Sequence, residues 1–282
     1  MKRILIALAL LLAVQAADAQ VKSPEAAKKA VLAAEEAAQN PKKNTKVATW
    51  LKLASSYMDA YDAPVGNILV NSPRVQLQMM MGNEKPVSVE DVVVDGAPFK
   101  KEVYATKNLY FDGTDVLRIV EVTVPVFEDP LANALEAYAK AYEVDVKKSK
   151  EKDIMTGIQS IQQKYFIDGM NQYSLGDYKK AGELLGKAAK ASETAPNSVV
   201  DTTSLYNAGY IYWASKDFET AKTYFERCLA ENYFYENGEV YAKLGDVYFN
   251  LGDKPKGVET LEAGFVKFPQ SQSILIGLIN YY

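Results

Sequence analysis

Apolar residues in the second half of the chain recur with the spacing of an α-helix face, in three blocks that resemble one another. Each block carries a small residue near its centre, with larger side chains spaced to share one helix face. The blocks are Tyr165-x-x-Asp168-Gly169-x-x-Gln172, Leu205-x-x-Ala208-Gly209-x-x-Tyr212 and Tyr241-x-x-Leu244-Gly245-x-x-Tyr248. The repetition predicts three copies of one helical unit rather than a single irregular helical domain.

A turn and a second helical pattern follow each block. The second pattern begins with a small residue, Ala181 in the first unit and Ala221 in the second. Because small residues let two helices approach closely, helix A and helix B of each unit are predicted to cross at these positions. Gly176 and Gly252 are predicted to end helix A in the left-handed conformation. The aspartates after each turn, which are predicted to cap helix B, are Asp177, Asp217 and Asp253.

This arrangement resembles the tetratricopeptide repeat (TPR) family. In that family helix A carries the pattern W-x2-L-G-x2-Y, helix B carries A-x3-F, and a Pro closes the unit; here Pro269 closes the third unit. The resemblance implies a mostly α fold, a TPR-type α-solenoid of helical hairpins in residues 146–282. Its repeats are expected at about 162–198, 202–236 and 238–271, with a partial repeat at 272–282.

One further helix A lies nearer the N-terminus, far from the helix B that would complete it. Trp50-x-x-Leu53-Ala54-x-x-Tyr57 fits the helix A pattern, but a matching helix B begins only at Asp129-Pro130. We therefore expect a first TPR-like hairpin over residues 47–145 that is interrupted by an insertion at 63–129.

The insertion has the composition and period of β-strands. Residues 87–94, 99–111 and 116–124 are rich in Val, Tyr and Phe, and the dipeptides Asp95-Gly96 and Asp112-Gly113 between them are hairpin turn signals. Ser72-Pro73 is predicted to cap a short helix that ends at Gly82. The insertion is thus predicted to be a small α+β module, a short helix followed by a three-stranded antiparallel meander.

The first 19 residues have the pattern of a secretory signal peptide. Lys2 and Arg3 precede an apolar run at residues 4–14, and Ala17-Asp18-Ala19 fits the small-x-small cleavage rule. As a helix the run would span about 16 Å, too short for a hydrocarbon core of roughly 30 Å, so no stable membrane insertion is expected. We expect an exported protein, periplasmic or outer-membrane-associated in a Gram-negative bacterium. Residues 20–46 then form an N-terminal helix (23–39) and a basic linker.

Several classes of chemistry are disfavoured by what the sequence contains. The chain has 282 residues and no His, so His-based acid–base catalysis and the Ser-His-Asp and Cys-His nucleophiles are absent. Cys228, the single cysteine, is predicted to be a buried structural thiol. The carboxylate pairs Glu90-Asp91 and Asp112 with Asp115 are expected at solvated turns or strand ends. With a net charge of −4 and both signs interspersed, nucleic acid is not an expected partner. We expect a non-enzymatic protein without a cofactor or metal.

The expected site is the concave face that stacked helices A form in a TPR solenoid. The family resemblance implies that partners contact helix A positions which the hairpin core does not need, and here these positions are largely aromatic. The predicted partner-binding groove consists of Phe166, Met170, Tyr173, Tyr206, Tyr210, Trp213, Asp246 and Phe249. The resulting hypothesis is a scaffold that binds a protein or peptide in envelope assembly or secretion. The alternative function is binding of a glycan or small ligand by the same aromatic face. If the insertion or a neighbouring helix covers these residues, their role is structural.

The last residues form a strongly apolar segment, 274–282. In the repeat register it begins a helix A whose Leu275 and Leu278 would face a further helix B. A contiguous exposed apolar patch is unusual in a monomeric protein. We therefore expect either self-association through this segment or its continuation in a longer repeat protein.

Overall fold

Helices pair into antiparallel hairpins along most of the chain, and a small sheet is inserted near the N-terminal side. The computed structural model describes residues 21–82 and 84–281, so the predicted signal peptide lies outside the described residues. The helices are α1 (Pro24–Gln39), α2 (Val47–Asp62), α3 (Arg74–Met81), α4 (Pro130–Val144), α5 (Glu151–Ser174), α6 (Tyr178–Ser192), α7 (Thr202–Ala214), α8 (Phe218–Ala230), α9 (Glu239–Asn250), α10 (Lys254–Lys267) and α11 (Gln272–Tyr281). The strands are β1 (Ser88–Val94), β2 (Ala97–Val103), β3 (Lys107–Phe111) and β4 (Leu117–Val122), and a 3₁₀ turn spans Glu236–Gly238.

The hairpins stack side by side as a solenoid. α5 packs on α6, α7 on α8, and α9 on α10, while α6 packs on α7 and α8 packs on α9. Each helix therefore contacts mainly its neighbours in sequence, which is the contact pattern of repeat proteins. The mostly α, solenoid fold with a small antiparallel sheet is confirmed.

The predicted helix crossings are close approaches in the structure. A Cβ atom built on Gly169 would lie 2.8 Å from Leu185 Cγ, and one on Gly245 would lie 2.7 Å from Leu261 Cγ. At the matching helix B position, Ala181 is fully buried. The small residues of the repeat pattern thus lie where two helix axes come nearest.

The predicted turns and caps between the paired helices are also confirmed. Gly176 and Gly252 adopt φ of 85° and 84°, in the left-handed region where L side chains are strained. The next residue in each case caps helix B, because Asp177 Oδ1 accepts from Lys180 N at 3.1 Å and Asp253 Oδ1 from Lys256 N at 3.2 Å. Asp217 makes the same bond in the middle unit.

At the N-terminal side, α1 packs on α2, and α2 packs on α4. The core between them is made of small and aromatic residues that include Val31, Ala54, Tyr57 and Ala134. Asp129 caps α4 by accepting from Ala132 N at 3.0 Å, and it also accepts from the Tyr165 hydroxyl at 2.7 Å. α3 and the four strands lie between α2 and α4 in the sequence, so the inserted module, rather than a short turn, connects the two helices of this hairpin.

The sheet has four strands, and the prediction of three was wrong. Its order is β1-β2-β3-β4 with antiparallel neighbours, and the run 99–111 that reads as one strand is broken between β2 and β3. The break is a tight hairpin closed by Tyr104 N donating to Lys107 O at 2.8 Å. This turn contains no Gly, Pro, Asn or Asp, so its sequence carries no turn signal. The predicted turn at Asp95-Gly96 is confirmed, with φ of 49° and 76°.

The two faces of the sheet have different neighbours. α3 covers one face, where Leu77 packs with Leu109, Phe111 and Leu117. On the other face, a cluster formed by Val94, Tyr110 and Ile119 packs against Leu175 at the end of α5. The inserted module therefore contacts the solenoid where the first long helix A ends.

The start of α3 differs from the prediction. Its N-cap is Pro73, and no side chain caps the helix. The Ser72 carbonyl accepts from Leu117 N at 3.0 Å instead, and Pro73 bridges Val116. Pairing with β4 thus holds Ser72 in extended backbone ahead of the helix.

The apolar C-terminal segment forms α11, which packs on α9 and α10. Ile274 is fully buried, whereas Ile276 and Ile279 are 58% and 73% exposed. Leu275 and Leu278, which the repeat register aims at a further helix, are half-buried. No helix in the described part of the chain combines the length and apolar character that a membrane crossing needs.

Candidate functional site

Tyr210, Trp213 and Asp246 lie together on the adjacent helices α7 and α9. Tyr210 and Trp213 are three residues apart on α7, and their ring centroids are 5.6 Å apart with planes inclined by 43°. The indole Nε1–H of Trp213 donates to Asp246 Oδ2 at 2.5 Å, which joins the two helices. All three side chains are half-buried. The repeat register therefore brings these predicted site residues onto one surface.

Lys243 belongs to the same cluster, although it was not predicted. Its ammonium lies 3.6 Å from the centroid of the Trp213 ring and 5.7 Å from that of Tyr210. The nearest carboxylate that pairs with it is Glu239, at 4.0 Å. Burial lowers the pKa of Lys243, and the charges of Glu239 and Asp246 act in the opposite direction. A signal was present in the sequence, since Glu239, Lys243 and Asp246 are spaced to share one face of a helix. We call Tyr210, Trp213, Lys243 and Asp246 the α7–α9 cluster.

Tyr206 does not belong to the exposed part of this surface. It is 6% exposed, and its ring stacks on Tyr235 with centroids 4.1 Å apart and planes inclined by 20°. It also contacts Phe225 and Tyr233. The α8–α9 connection thus covers Tyr206, and the half-buried Tyr235 lies over its ring. Sequence reasoning missed Tyr233 and Tyr235 because they lie in a loop outside the helical register.

The predicted residues of α5 line the same side of the solenoid. Phe166, Met170 and Tyr173 are half-buried and pack against a core cluster that includes Ile211 of α7. Tyr173 also contacts Tyr178, with ring centroids 5.6 Å apart. Burial raises the pKa of Tyr173, and the Asp95 carboxylate at the β1–β2 turn contributes to the rise. The tip of the inserted module thus lies near this end of the predicted groove.

Phe249, the last predicted residue, packs within its own hairpin. A Cβ atom added to Gly257 of α10 would lie 2.5 Å from the Phe249 ring. Phe249 therefore fills the space that Gly257 leaves between α9 and α10. Its side chain is half-buried.

A half-buried acidic residue, Asp168, links α2 to α5 away from the α7–α9 cluster. The Tyr61 hydroxyl donates to Asp168 Oδ2 at 2.9 Å, and Lys164 Nζ donates to Asp62 Oδ1 at 2.6 Å. Burial raises the pKa of the Asp168 carboxyl to about 6, against the opposing effects of the Tyr61 hydrogen bond and the Lys164 charge. Asp168 occupies a position of helix A that holds Leu or Ala in the later units, so its pairing with Tyr61 was not predictable from the repeat.

Other candidate residues have structural partners. Cys228 is fully buried, and burial raises the pKa of its thiol to about 12, which disfavours the reactive thiolate. The carboxylates of the predicted pairs form ion pairs, namely Glu90 with Lys101, Asp91 with Lys100, Asp112 with Arg118, and Asp115 with Arg74. Among the described residues, no group of three or more Cys, Asp or Glu side chains is arranged to hold a metal ion.

Comparison with known proteins agrees with this architecture at the level of the repeat. The Tetratricopeptide repeat family model matches residues 202–233, which contain α7 and α8. Two solved structures are among those that the chain matches. The APC/C hetero-tetramer Cut9-Hcn1 has 14% identity and a TM-score of 0.33 over 91% of this chain and 39% of that one. BtubC (BKLC) from P. vanneervenii has 14% identity and a TM-score of 0.29 over 92% of both chains. This chain therefore spans well under half the length of the first.

No curated protein matches the sequence. The family match falls on the hairpin that carries Tyr206, Tyr210 and Trp213, and the hairpins on either side repeat its glycine crossings and aspartate caps. The hairpin α7–α8 thus matches the tetratricopeptide repeat, and the neighbouring hairpins share its local features.

Proposed function

We propose that this protein is a non-enzymatic scaffold that binds a protein or peptide on the surface formed by α5, α7 and α9. The observation that carries the proposal is the α7–α9 cluster, in which two aromatic rings, an ammonium and a carboxylate meet across two repeats. Tetratricopeptide repeats are protein-interaction modules, and this cluster lies on the matched repeat and its neighbour.

The geometry of the cluster suits a binding anchor. Aromatic residues dominate the energetics of many interfaces because they bury a large area with few rotatable bonds. Here Asp246 holds the indole N–H of Trp213 and Lys243 lies over its ring, so the side chain is already ordered before a partner arrives. A preordered anchor lowers the entropic cost of binding.

A second candidate is binding of a glycan or small ligand on the same face, since sugars also stack on aromatic rings. Such a ligand needs a pocket beside the rings. Two cavities in the described part of the chain, of about 290 and 400 Å³, lie at the inserted module. Neither is lined by Tyr210 or Trp213, which favours a peptide over a pocket-bound ligand as the partner of these rings.

We further propose that the protein acts in the cell envelope, in assembly or secretion, in the periplasm or at the outer membrane. This part of the proposal rests on the predicted signal peptide at residues 1–19. N-terminal sequencing of the protein purified from a host that exports it should give Gln20 as the first residue. Retention of Met1 or Lys2 in the cytoplasmic fraction would contradict export.

The binding proposal is tested in two steps. Proteins captured from the envelope extract of the source organism are identified, and the dissociation constant of a captured partner is measured with purified proteins. Trp213→Ala should weaken binding by about thirtyfold, because truncating an interface anchor costs about 2 kcal/mol or more. Phe265→Ala, which removes an exposed aromatic residue of α10, is the matched control and should leave binding unchanged.

Tyr210→Ala should act in the same direction as Trp213→Ala. Circular dichroism spectra and melting curves of each variant separate loss of binding from loss of fold. Full binding by both folded variants would remove the α7–α9 cluster as the site and leave the inserted module as the better candidate surface.

A further inference from the structure

Two basic loops that are far apart in the sequence lie at the same end of the helical bundle. One joins α1 to α2 at residues 40–46, and the other joins α4 to α5 at residues 145–150. α2 and α4 are paired helices, and Val47, Tyr142 and Ile154 pack on the same core cluster. The start of α2, the end of α4 and the start of α5 are therefore neighbours, which places the two loops side by side.

These loops and the first turn of α5 carry a concentration of positive charge in a chain whose net charge is −4. We call this surface the basic end. It consists of the exposed side chains of Lys42, Lys43, Lys46, Lys147, Lys148, Lys150 and Lys152. Within residues 21–82 and 84–281, five of the seven have neither an ion pair nor a hydrogen bond from the ammonium, the exceptions being Lys148 and Lys150.

The carboxylates near the basic end do not offset this charge. Asp145 is buried and accepts hydrogen bonds from Ser149 N and Lys150 N, at 3.1 and 2.7 Å. Asp153 pairs with Lys150 at 3.0 Å. Glu151 is the third acidic residue, and it lies half-buried in the first turn of α5. Within residues 40–46 and 145–153, seven lysines thus accompany three carboxylates, two of which are already engaged. Glu143, in the last turn of α4, pairs with Lys140 at 2.8 Å.

The composition of the basic end fits a broad anionic surface better than a nucleic acid. Every cation is a Lys, a flexible point charge, and no Arg offers the planar fork that binds a single phosphate with two hydrogen bonds. Residues 40–46 and 145–152 contain no aromatic side chain on which a base could stack. Val146 lies among the lysines with 88% of its surface exposed, and an apolar side chain so placed can enter the interface of a bilayer.

We propose that the basic end docks this protein on a bilayer surface rich in anionic phospholipid. The contact is peripheral: the lysine ammonium groups meet the lipid phosphates and Val146 enters the headgroup region. The surface is separate from the α7–α9 cluster, so this proposal stands independently of partner binding there.

The test is co-sedimentation of the purified full chain with vesicles. One set contains equal parts of phosphatidylcholine and phosphatidylglycerol, and the other contains phosphatidylcholine alone. We expect sedimentation with the anionic vesicles at low salt and release at high salt, because salt screens exposed charges. Equal binding to the neutral vesicles would overturn the proposal.

Matched variants assign the binding to the basic end. The triple variant Lys43→Gln, Lys147→Gln, Lys152→Gln should reduce the partition coefficient by about a hundredfold, since each lysine near an anionic membrane contributes about fivefold. The control neutralises three exposed lysines at the opposite ends of the hairpins, and these are Lys179, Lys216 and Lys254. Equal losses in both triple variants would indicate a response to net charge alone and would also overturn the proposal.

Val146→Ser separates a bilayer from a soluble polyanion. It should reduce vesicle binding a few-fold and leave binding to poly-glutamate unchanged, because only a bilayer accepts an apolar side chain. Capture of poly-glutamate without any capture of the anionic vesicles would assign the lysines to an acidic protein partner and refute the lipid assignment.

Discussion

Gly245 offers a quantitative test of the repeat register, because two effects of opposite sign compete there. Replacing a helical Gly by Ala stabilises an exposed helix by about 1 kcal/mol. At Gly245 the new Cβ would lie 2.7 Å from Leu261 Cγ and 2.8 Å from Leu261 Cδ2, well inside van der Waals contact. Leu261 is 1% exposed and is itself close to Gly277 of α11, so it has little room to move. Overpacking of this kind costs about 1–3 kcal/mol.

We therefore expect Gly245→Ala to destabilise the protein by about 1 kcal/mol, and Gly245→Leu to destabilise it by about 3 kcal/mol. The free energy of unfolding is measured by urea denaturation followed by circular dichroism. Gly113→Ala is the control, because a Cβ atom there meets nothing within 4 Å. If Gly245→Ala is as stable as the control or more stable, the close crossing of α9 and α10 is wrong.

A double variant identifies the contact responsible. Leu261→Ala alone should cost about 2–5 kcal/mol through loss of buried surface and a cavity. In its presence Gly245→Ala should be much less destabilising, because the two nearest atoms have been removed and only Gly257 O, at 3.3 Å, remains close. The two changes should thus be non-additive by about 1 kcal/mol or more, and strict additivity would mean that Leu261 is not the obstacle.

Three further outcomes follow from buried or exposed groups. The pKa of the Asp168 carboxyl is raised to about 6 in the folded protein, so the folded state binds this proton more tightly than the unfolded state does. The free energy of unfolding should therefore fall by about 2 kcal/mol as the pH rises from 4 to 7. Asp168→Asn can still accept the hydrogen bond from Tyr61, and it should remove most of this pH dependence when unfolding by urea is measured at each pH. An unchanged pH dependence would show that Asp168 is not its source. Cys228 should resist Ellman's reagent in the native protein and react in denaturant, since its thiol is fully buried; fast native labelling would show an accessible thiol. If α11 mediates self-association, the mass of the wild-type protein measured by light scattering should rise with concentration. The double variant Ile276→Ser, Ile279→Ser should keep the mass of a monomer. A wild-type mass that does not change with concentration would argue against self-association.

The features that sequence analysis predicted correctly depend on neighbours within a few residues. The aspartate caps bond to an amide three residues on, as Asp177 does with Lys180. The Asp95-Gly96 turn depends only on two residues that tolerate positive φ. The spacing of Tyr210 and Trp213 on one helix face follows from the helix period. Such interactions join residues that are close in the sequence, so they can be predicted from a single sequence.

The candidate site was predicted only in part for the same reason. Asp246 lies beside Trp213 because α7 and α9 stack in the solenoid, and the repeat register captures this arrangement. The burial of Tyr206 depends instead on the α8–α9 connection, where Tyr235 adopts φ of 46° and stacks on it. Loop conformations of this kind are outside any helical periodicity, so the pattern could not indicate which aromatic residue is covered.

By itself, the sequence determined the helical hairpins, their close crossings and the presence of a β-rich segment, because each depends on local residue types and short spacings. Only the tertiary structure decided the contacts between distant segments: the break between β2 and β3, the pairing of Asp168 with Tyr61, and the position of Lys243 over Trp213. The basic end belongs to the second group. Its lysines come from loops about one hundred residues apart, and they form one surface because α2 pairs with α4 across the inserted module.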